Sequence, residues 1–345
     1  MSAGPSELSE VPELRGLALS RAEVDRATAR RGDTEWLAKA WADPATRVVV
    51  VEDGRALVRS GPGTEELVFV SPAQAPEGVR FLLGIAADDT VYFGVAGPLP
   101  QAAAAPDPAA ADPAAAEPSP GARPVSLREA GPHLSDRDVG LMVHAVGIAN
   151  WHAVHTHCPR CGAVTVPEQA GHSRRCPVDR SEHFPRLDPA VIMLVTDPDD
   201  RCLLARNALW PERRVSILAG FVEPGESAEQ AVTREVLEET GISVVSVRYV
   251  GSQPWPMPHS LMLGFRARAT GSLDIMVDSD EIAEARWFSR DELRASVESG
   301  EIRLPPPVSI AHRIIESWYG SDLGGAWLGA RKDASRKSVS HRGPA

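Results

Sequence analysis

Short apolar runs broken by turn residues dominate residues 47–98. RVVVVEDGRALVR places Asp53-Gly54 between two such runs, and FLLGIAADDTVYFGVA places Asp88-Asp89 between two more. Both are hairpin signals, so this region is expected to be β-rich. The pattern then changes period. Val139, Met142, Val143 and Val146 recur at helical spacing behind Ser135 and Asp136, either of which can cap a helix. Residues 187–319 return to strand-like runs (AVIMLV, RCLLAR, VVSVRYVG, LMLGFRARA) around one strongly patterned helix at 228–240.

Elsewhere the pattern lapses. QAAAAPDPAAADPAAAEPSPGARP, residues 101–124, is almost only Ala, Pro and Asp. It cannot bury enough apolar surface to offset ordering and is expected to be a disordered insert. Residues 321–345 are rich in Gly, Ser, Arg and Lys and are expected to form a frayed tail. A chain of 345 residues has room for two or three domains. Its 43% hydrophobic and 24% charged residues are those of an ordinary soluble protein. The net charge of −11 argues against non-specific nucleic-acid binding, though it leaves room for an RNA end held in a pocket. No apolar run approaches the roughly 20 residues of a membrane helix, and MSAGPSELSEVPELRG lacks the order of a signal peptide. Four cysteines, three of them close together in metal-like spacing, do not make a disulfide framework. The expected compartment is the cytoplasm.

The most informative segment is GFVEPGESAEQAVTREVLEETGI, residues 220–242. Ser227 with Gln230 has the form of a capping box, and Gly241 stops the helix. Glu235, Glu238 and Glu239 fall within an arc of about 100° on that helix. Glu235 and Glu239 form a like-charge i,i+4 pair, which destabilises a bare helix. A divalent cation removes the penalty, and hard oxygen ligands suit Mg²⁺ or Mn²⁺. Arg234 lies at the edge of the cluster and can hold a carboxylate through its planar fork. A solvated acidic face is the usual fate of such a run. Here the string also fits G-x5-E-x7-R-E-U-x-E-E-x-G-U at every position, through Gly220, Glu226, Arg234, Glu235, Val236, Glu238, Glu239, Gly241 and Ile242.

That string is the Nudix box, and the chain resembles the Nudix hydrolases, which cleave nucleoside diphosphates linked to a further group. The resemblance implies an α/β fold: a Nudix α/β/α sandwich with a mixed sheet, preceded here by a β-rich N-terminal domain and a zinc-ribbon-like module. It also implies that Glu235, Glu239 and the Ala219 carbonyl ligate catalytic metal, while Glu226 and Arg234 hold the loop. A further acidic ligand is expected from DSDEIAEARWF, with Glu281 preferred over Glu284. Glu238 or Glu239 is the expected proton acceptor.

The box sets the reaction, not the substrate. SQPWPMPHS, residues 252–260, has three alternating prolines and reads as a stiff, extended loop. It resembles the SQPWPFPxS array of the NADH pyrophosphatase (NudC-type) branch, with Met257 in place of phenylalanine. Gln253, Pro254, Trp255, Pro256, Met257, Pro258, His259 and Ser260 are therefore expected to meet substrate, the amide and hydroxyl reading a ring edge at little ordering cost. The resemblance extends to SLRE with Arg128, to HFPRLDPAVI with Phe184 where a tyrosine is frequent, and to LPPPVSIAHRII with Ala311 lining the pocket. Phe221 is a candidate for ring stacking or for core packing. The implied activity is metal-dependent hydrolysis of NAD(H) to nicotinamide mononucleotide and AMP, extending to NAD caps on RNA 5′ ends, by a homodimer. Two rivals are a hydrolase of ADP-ribose or another nucleotide sugar, and a binding module that holds nucleotide or RNA without cutting it.

Cys158, Cys161, Cys176 and Asp179 give C-x2-C-x14-C-x2-D. Four cysteines at this spacing would specify structural zinc, and the fourth position is aspartate. Asp179, His183 or His172 can complete the site, and we expect Zn²⁺ to be retained. His152, His155 and His157 are expected to be ordinary packing or surface residues, and Cys202 a small buried hydrophobe. The division expected is residues 1–150, an N-terminal β-rich domain ending in a helix; 151–186, the ribbon; 187–320, the Nudix domain; and 321–345, the tail.

Overall fold

The computed structural model describes residues 13–61, 64–100, 121–277 and 280–320. Most of the insert and all of the tail expected above lie outside the described residues. The chain divides into two compact units. The first comprises residues 18–188 and 254–261; the second takes in residues 189–253 and the described residues from 262 onward, together with 13–17.

The first unit begins with helix α1 (Thr34–Ala42), whose N-cap Asp33 accepts the Trp36 N–H at 3.0 Å. Strands β1 (Arg47–Val51), β2 (Arg55–Ser60), β3 (Glu65–Leu67), β4 (Val79–Ile85), β5 (Val91–Ala96) and β6 (Ala122–Ser126) follow. They form two three-stranded sheets in the orders β1-β5-β4 and β3-β2-β6. The turn at Asp88-Asp89 joins an antiparallel hairpin as expected. The turn at Asp53-Gly54 also forms, yet its arms share one bridge, Glu52 with Arg55, before joining different sheets. The expectation of disorder through residue 124 is corrected: Ala122–Ser126 pairs with β2, and Pro124 is tolerated because β6 is an edge strand. Two helices come next, α2 (Leu127–Ala130) and α3 (Asp136–Val154), the latter capped by Ser135 and running past residue 150. The cysteine module holds a small sheet of β7 (Val166–Glu168), β8 (Ser173–Arg175) and β9 (Glu182–His183).

The second unit is built on a six-stranded sheet of β10 (Asp188–Thr196), β11 (Cys202–Asn207), β12 (Leu218–Phe221), β13 (Ser243–Trp255), β14 (Ser260–Thr270) and β15 (Ile282–Phe288). Its order is β13-β14-β10-β11-β15, with β12 paired to β10. The helices are α4 (Ala228–Thr240), α5 (Arg290–Glu298) and α6 (Ile310–Tyr319). Strand β10 explains the sandwich. Alternate residues of a strand face opposite ways, so a strand covered on both sides reads as an unbroken apolar run. Val191, Met193 and Val195 pack with Ala231, Val232 and Val236 of α4, whereas Ile192 and Leu194 pack with Leu293 of α5 and Ile314 of α6. Cys202 is fully buried in the second of these cores. Among the described residues no helix is long and apolar enough to cross a membrane.

Candidate active site

Helix α4 starts and stops where its sequence dictates. Ser227 accepts the Gln230 N–H at 3.2 Å, Gln230 returns a bond to the Ser227 N–H, and Gly241 closes the helix at φ 71°. The side chain of Arg234 organises the acidic residues around this frame. Its Nε and Nη2 donate to the two oxygens of Glu226, both at 2.9 Å. Nη1 donates to Glu235 at 2.9 Å and Glu238 at 3.2 Å, and Nη2 also reaches the Phe221 carbonyl at 2.9 Å. The Arg234 fork lowers the Glu226 carboxyl from its ordinary value. Gly220 has a separate reason to be glycine. A Cβ there would lie 2.0 Å from the Glu235 carboxylate, so only a bare backbone lets that side chain rest against β12.

Glu239 is the member of this cluster that Arg234 does not reach. It is 7% exposed, and its Oε2 is buried without a hydrogen-bond partner. Burial, then the charges of Glu235, Glu281 and Glu238, push its carboxyl up to about 8. Burial also raises Glu235, against the pull of Arg234. A buried acidic oxygen with no donor, ringed by further carboxylates, is what a hard divalent cation would satisfy. The donor set therefore fits the metal. Glu281 belongs to this electrostatic neighbourhood, whereas Glu284 lines a separate cavity with Arg206, Arg213 and Arg286. Ala219 lies on β12 opposite Ile192. Phe221 is 58% exposed, which rules out the core-packing option for its ring. The cleft of about 760 Å³ beside the box is lined by Glu223, Glu226, Arg234 and Glu238 but not by Glu235, Glu239 or Glu281. It flanks the carboxylate centre rather than containing it.

The proline array is not a free loop. Its start continues β13, its centre is a turn, and β14 begins at Ser260. β13 ends its sheet, so Pro254 deprives no neighbouring strand of a donor. Gln253 is corrected: it is fully buried and its Nε2 donates to the Val308 carbonyl at 3.0 Å, so its amide holds the strand instead of facing a ligand. Ala311 is corrected likewise, being 1% exposed in the core around α6. Within the first unit several of the other array residues lie beside residues that were also expected to meet substrate. Arg128 Nε donates to Met257 Sδ at 3.3 Å, and its guanidinium carbon is 5.1 Å from the centre of the Trp255 ring. Pro254, Pro256, His259 and Ser260 line a cavity of about 390 Å³ with Phe184. Pro258 is exposed at the turn. The sequence reading missed Asn150, whose Nδ2 donates to the Pro256 carbonyl at 2.8 Å and fixes the turn. It also missed Arg26, Arg31 and His144, which line the same cavity. No local motif marks these residues.

In the ribbon, the ligand atoms of Cys158, Cys161, Cys176 and Asp179 all lie within 4.8 Å of one another. Tetrahedral zinc with bonds of about 2.3 Å to sulfur needs similar spacing, so the residues fit the ion. Asp179 takes the Ser181 hydroxyl at 2.6 Å and its N–H at 2.9 Å, which hold the carboxyl well below its ordinary range. Backbone N–H groups of Arg160 and Asp179 point at Cys158 and Cys176, both at 3.4 Å. His172 is corrected as a fourth ligand: its Nε2 is 2.7 Å from the Leu82 carbonyl, and its ring packs on His144. His183 stands outside the four-residue group and contacts Ser181 at 3.0 Å. His152 is buried, between the Gly171 carbonyl and Arg174.

Comparison with known proteins agrees with this anatomy. Residues 186–306 match the NUDIX domain, 154–184 the NADH pyrophosphatase zinc ribbon domain, and 45–151 the NADH pyrophosphatase-like rudimentary NUDIX domain. The chain belongs to the NADH pyrophosphatase (NudC-type) branch of the Nudix hydrolase family. Similar proteins include "NAD-capped RNA hydrolase NudC" of Mycobacterium bovis and of Mycobacterium tuberculosis. Each is 41% identical over 314 residues, covering 87% of this chain and 94% of the relative. "NAD-capped RNA hydrolase NUDT12" of Macaca fascicularis is 34% identical over 344 residues, covering 87% of this chain and 72% of the relative.

Proposed function

We propose that this chain hydrolyses the pyrophosphate of NAD(H) to nicotinamide mononucleotide and AMP, and removes NAD caps from RNA 5′ ends. One observation carries the catalytic part: a complete box helix buries the unpartnered Glu239 carboxylate oxygen beside Glu235 and Glu281. The substrate is supported by relatives named as NAD-capped RNA hydrolases and by the 252–260 array. Glu235, Glu239, Glu281 and the Ala219 carbonyl would hold divalent ions, which we take to be Mg²⁺ or Mn²⁺ from the oxygen donors. When bound, such ions neutralise pyrophosphate charge and make water more acidic.

The rest is positional work by the chain. Arg234 ties Glu226, Glu235 and Glu238 to one guanidinium, so the carboxylates are placed before substrate arrives. Glu238, whose side chain is 61% exposed, is the carboxylate left to accept a proton, since Glu239 is committed to the cation. Arg128, Trp255, Met257, Pro258, His259, Ser260, Phe184 and Phe221 are the proposed substrate contacts. Zn²⁺ on Cys158, Cys161, Cys176 and Asp179 is proposed as structural. By resemblance we also propose a homodimer, and from the cysteine usage a cytoplasmic enzyme. The test is turnover of NADH, NAD⁺ and ADP-ribose with Mn²⁺, before and after EDTA. NADH or NAD⁺ should be preferred and chelation should abolish activity. A tenfold preference for ADP-ribose, or full activity in EDTA, would overturn the reading.

A further inference from the structure

The cavity of about 390 Å³ lies wholly within the first unit, and its lining combines two chemistries. Pro254, Pro256 and Phe184 contribute stiff, apolar surface. Arg26 and Arg31 line it too, electrostatically close to His144 and His172. Among the described residues neither arginine is in an ion pair, although the chain as a whole has a net charge of −11. Arg31 Nε is buried without a hydrogen-bond partner, and its Nη2 reaches only the Arg26 carbonyl, at 3.4 Å. Burial and then the charge of Arg26 lower the Arg31 guanidinium, so the pair works against itself. The imidazoles do not relieve this. Burial and the two arginines hold both neutral, His172 down to about 4. Arg186, also in the lining, is already paired with Asp188.

Two crowded guanidiniums beside a cavity are stabilised by an anion with several acceptor oxygens, and the planar fork of arginine suits phosphate. The proline and phenylalanine lining suits a flat ring, and the volume falls in the range of small-ligand sites. We propose that this cavity binds a nucleoside monophosphate unit, its phosphate on Arg26 and Arg31 and its ring on the proline lining. The inference rests on the proposed function for the identity of the nucleotide, which is part of free NAD(H) or of a capped RNA end.

Calorimetric titration of zinc-loaded, full-length protein, without added Mg²⁺ or Mn²⁺, with AMP and with nicotinamide mononucleotide tests it without turnover. At least one should bind, and R26A/R31A should weaken it by roughly tenfold or more, because charged hydrogen bonds to phosphate are lost. R26K/R31K should keep much of the affinity. Thermal unfolding of each variant separates lost binding from lost fold, with R26Q/R31Q as the replacement should the alanine pair not fold. In kinetic assays the loss should fall mainly on KM. A rise for NADH and capped RNA alike assigns the cavity to the dinucleotide, and a rise for capped RNA alone assigns it to the next nucleotide. Absence of binding to wild type, or unchanged affinity in a folded R26A/R31A or R26Q/R31Q, overturns the inference while NADH hydrolysis by wild type still stands. Binding of AMP by a chain that fails to hydrolyse NAD(H) would instead sink the functional reading alone.

Discussion

The two ligand clusters of this chain crowd similar groups together and resolve the crowding in opposite ways. In the ribbon most members have a donor within the module: Asp179 takes two bonds from Ser181, and Cys158 and Cys176 accept backbone N–H groups. At the box, Arg234 satisfies Glu226 and shares itself between Glu235 and Glu238, while Glu239 keeps a buried oxygen with no partner. Buried polar groups without partners cost free energy, and chains keep them where function requires it. The ribbon is internally satisfied and reads as structure. The box is left frustrated at Glu239, as the proposed cation site requires, and reads as chemistry.

The largest effect should come from removing that frustration. E239Q is expected to lower turnover of NADH on the order of 10³-fold, since one of the proposed carboxylate ligands is lost. Its effect on stability has the opposite sign. Glu239 in the folded chain titrates at about 8, against roughly 4.3 when unfolded. Between these values the folded state holds a proton that the unfolded state has released. The Glu239 contribution to metal-free stability is therefore fully present below about pH 4 and is lost as pH rises towards 8. In EDTA, E239Q should melt above wild type at pH 8, by an amount on the order of a few kcal/mol, and the two should converge near pH 4. Mg²⁺ should raise the wild-type melting temperature and leave that of E239Q nearly unmoved. Wild-type turnover by E239Q would break the contrast between the clusters.

A smaller effect is expected from G220A. The new Cβ would stand 2.0 Å from the Glu235 carboxylate, which must swing away from β12. Activity should fall by about 10- to 100-fold and the Mn²⁺ concentration for half-maximal rate should rise, because a misplaced ligand weakens both. Overpacking of this kind costs about 1–3 kcal/mol of stability. A G220A enzyme with unchanged Mn²⁺ dependence would show that Glu235 does not need its position against the strand.

What the sequence made legible was local. The box helix, its caps and its ligand spacing all follow from residues within one short segment, and the structure forms that helix over Ala228–Thr240. The ribbon spacing is local too, although setting His172 aside as a ligand required seeing it turned to the Leu82 carbonyl. Non-local features were hidden. Gln253 and Ala311 sit in motifs that suggest ligand contact, yet their sides of β13 and α6 face the core. Asn150 reaches the Pro256 carbonyl across more than a hundred residues, and Arg26 and Arg31 join the proline lining only through folding. The segment Ala122–Ser126 looked structureless because its composition carries no period; pairing with β2 supplies the order that composition lacks.

The smallest effect on catalysis should come from the ribbon, and it sharpens the comparison most directly. If that module is structural and already satisfied, its fourth ligand tunes zinc affinity and leaves the reaction almost alone. Purified wild type should contain about one zinc per chain, as a closed four-ligand site predicts. D179A should lose zinc to a chelator at concentrations at least tenfold lower, and D179C should hold it more tightly, because thiolate is the softer ligand. Turnover of NADH by zinc-loaded D179C should stay within about threefold of wild type, since a closed structural site offers substrate no open position. Melting temperature should follow zinc occupancy in all three proteins, because ion binding to the folded state alone stabilises it by mass action. A wild-type chain that binds no zinc while D179C does would mean that the ribbon's internal hydrogen bonds have replaced the ion. A large loss of turnover in zinc-loaded D179C would erase the division between a structural and a catalytic cluster.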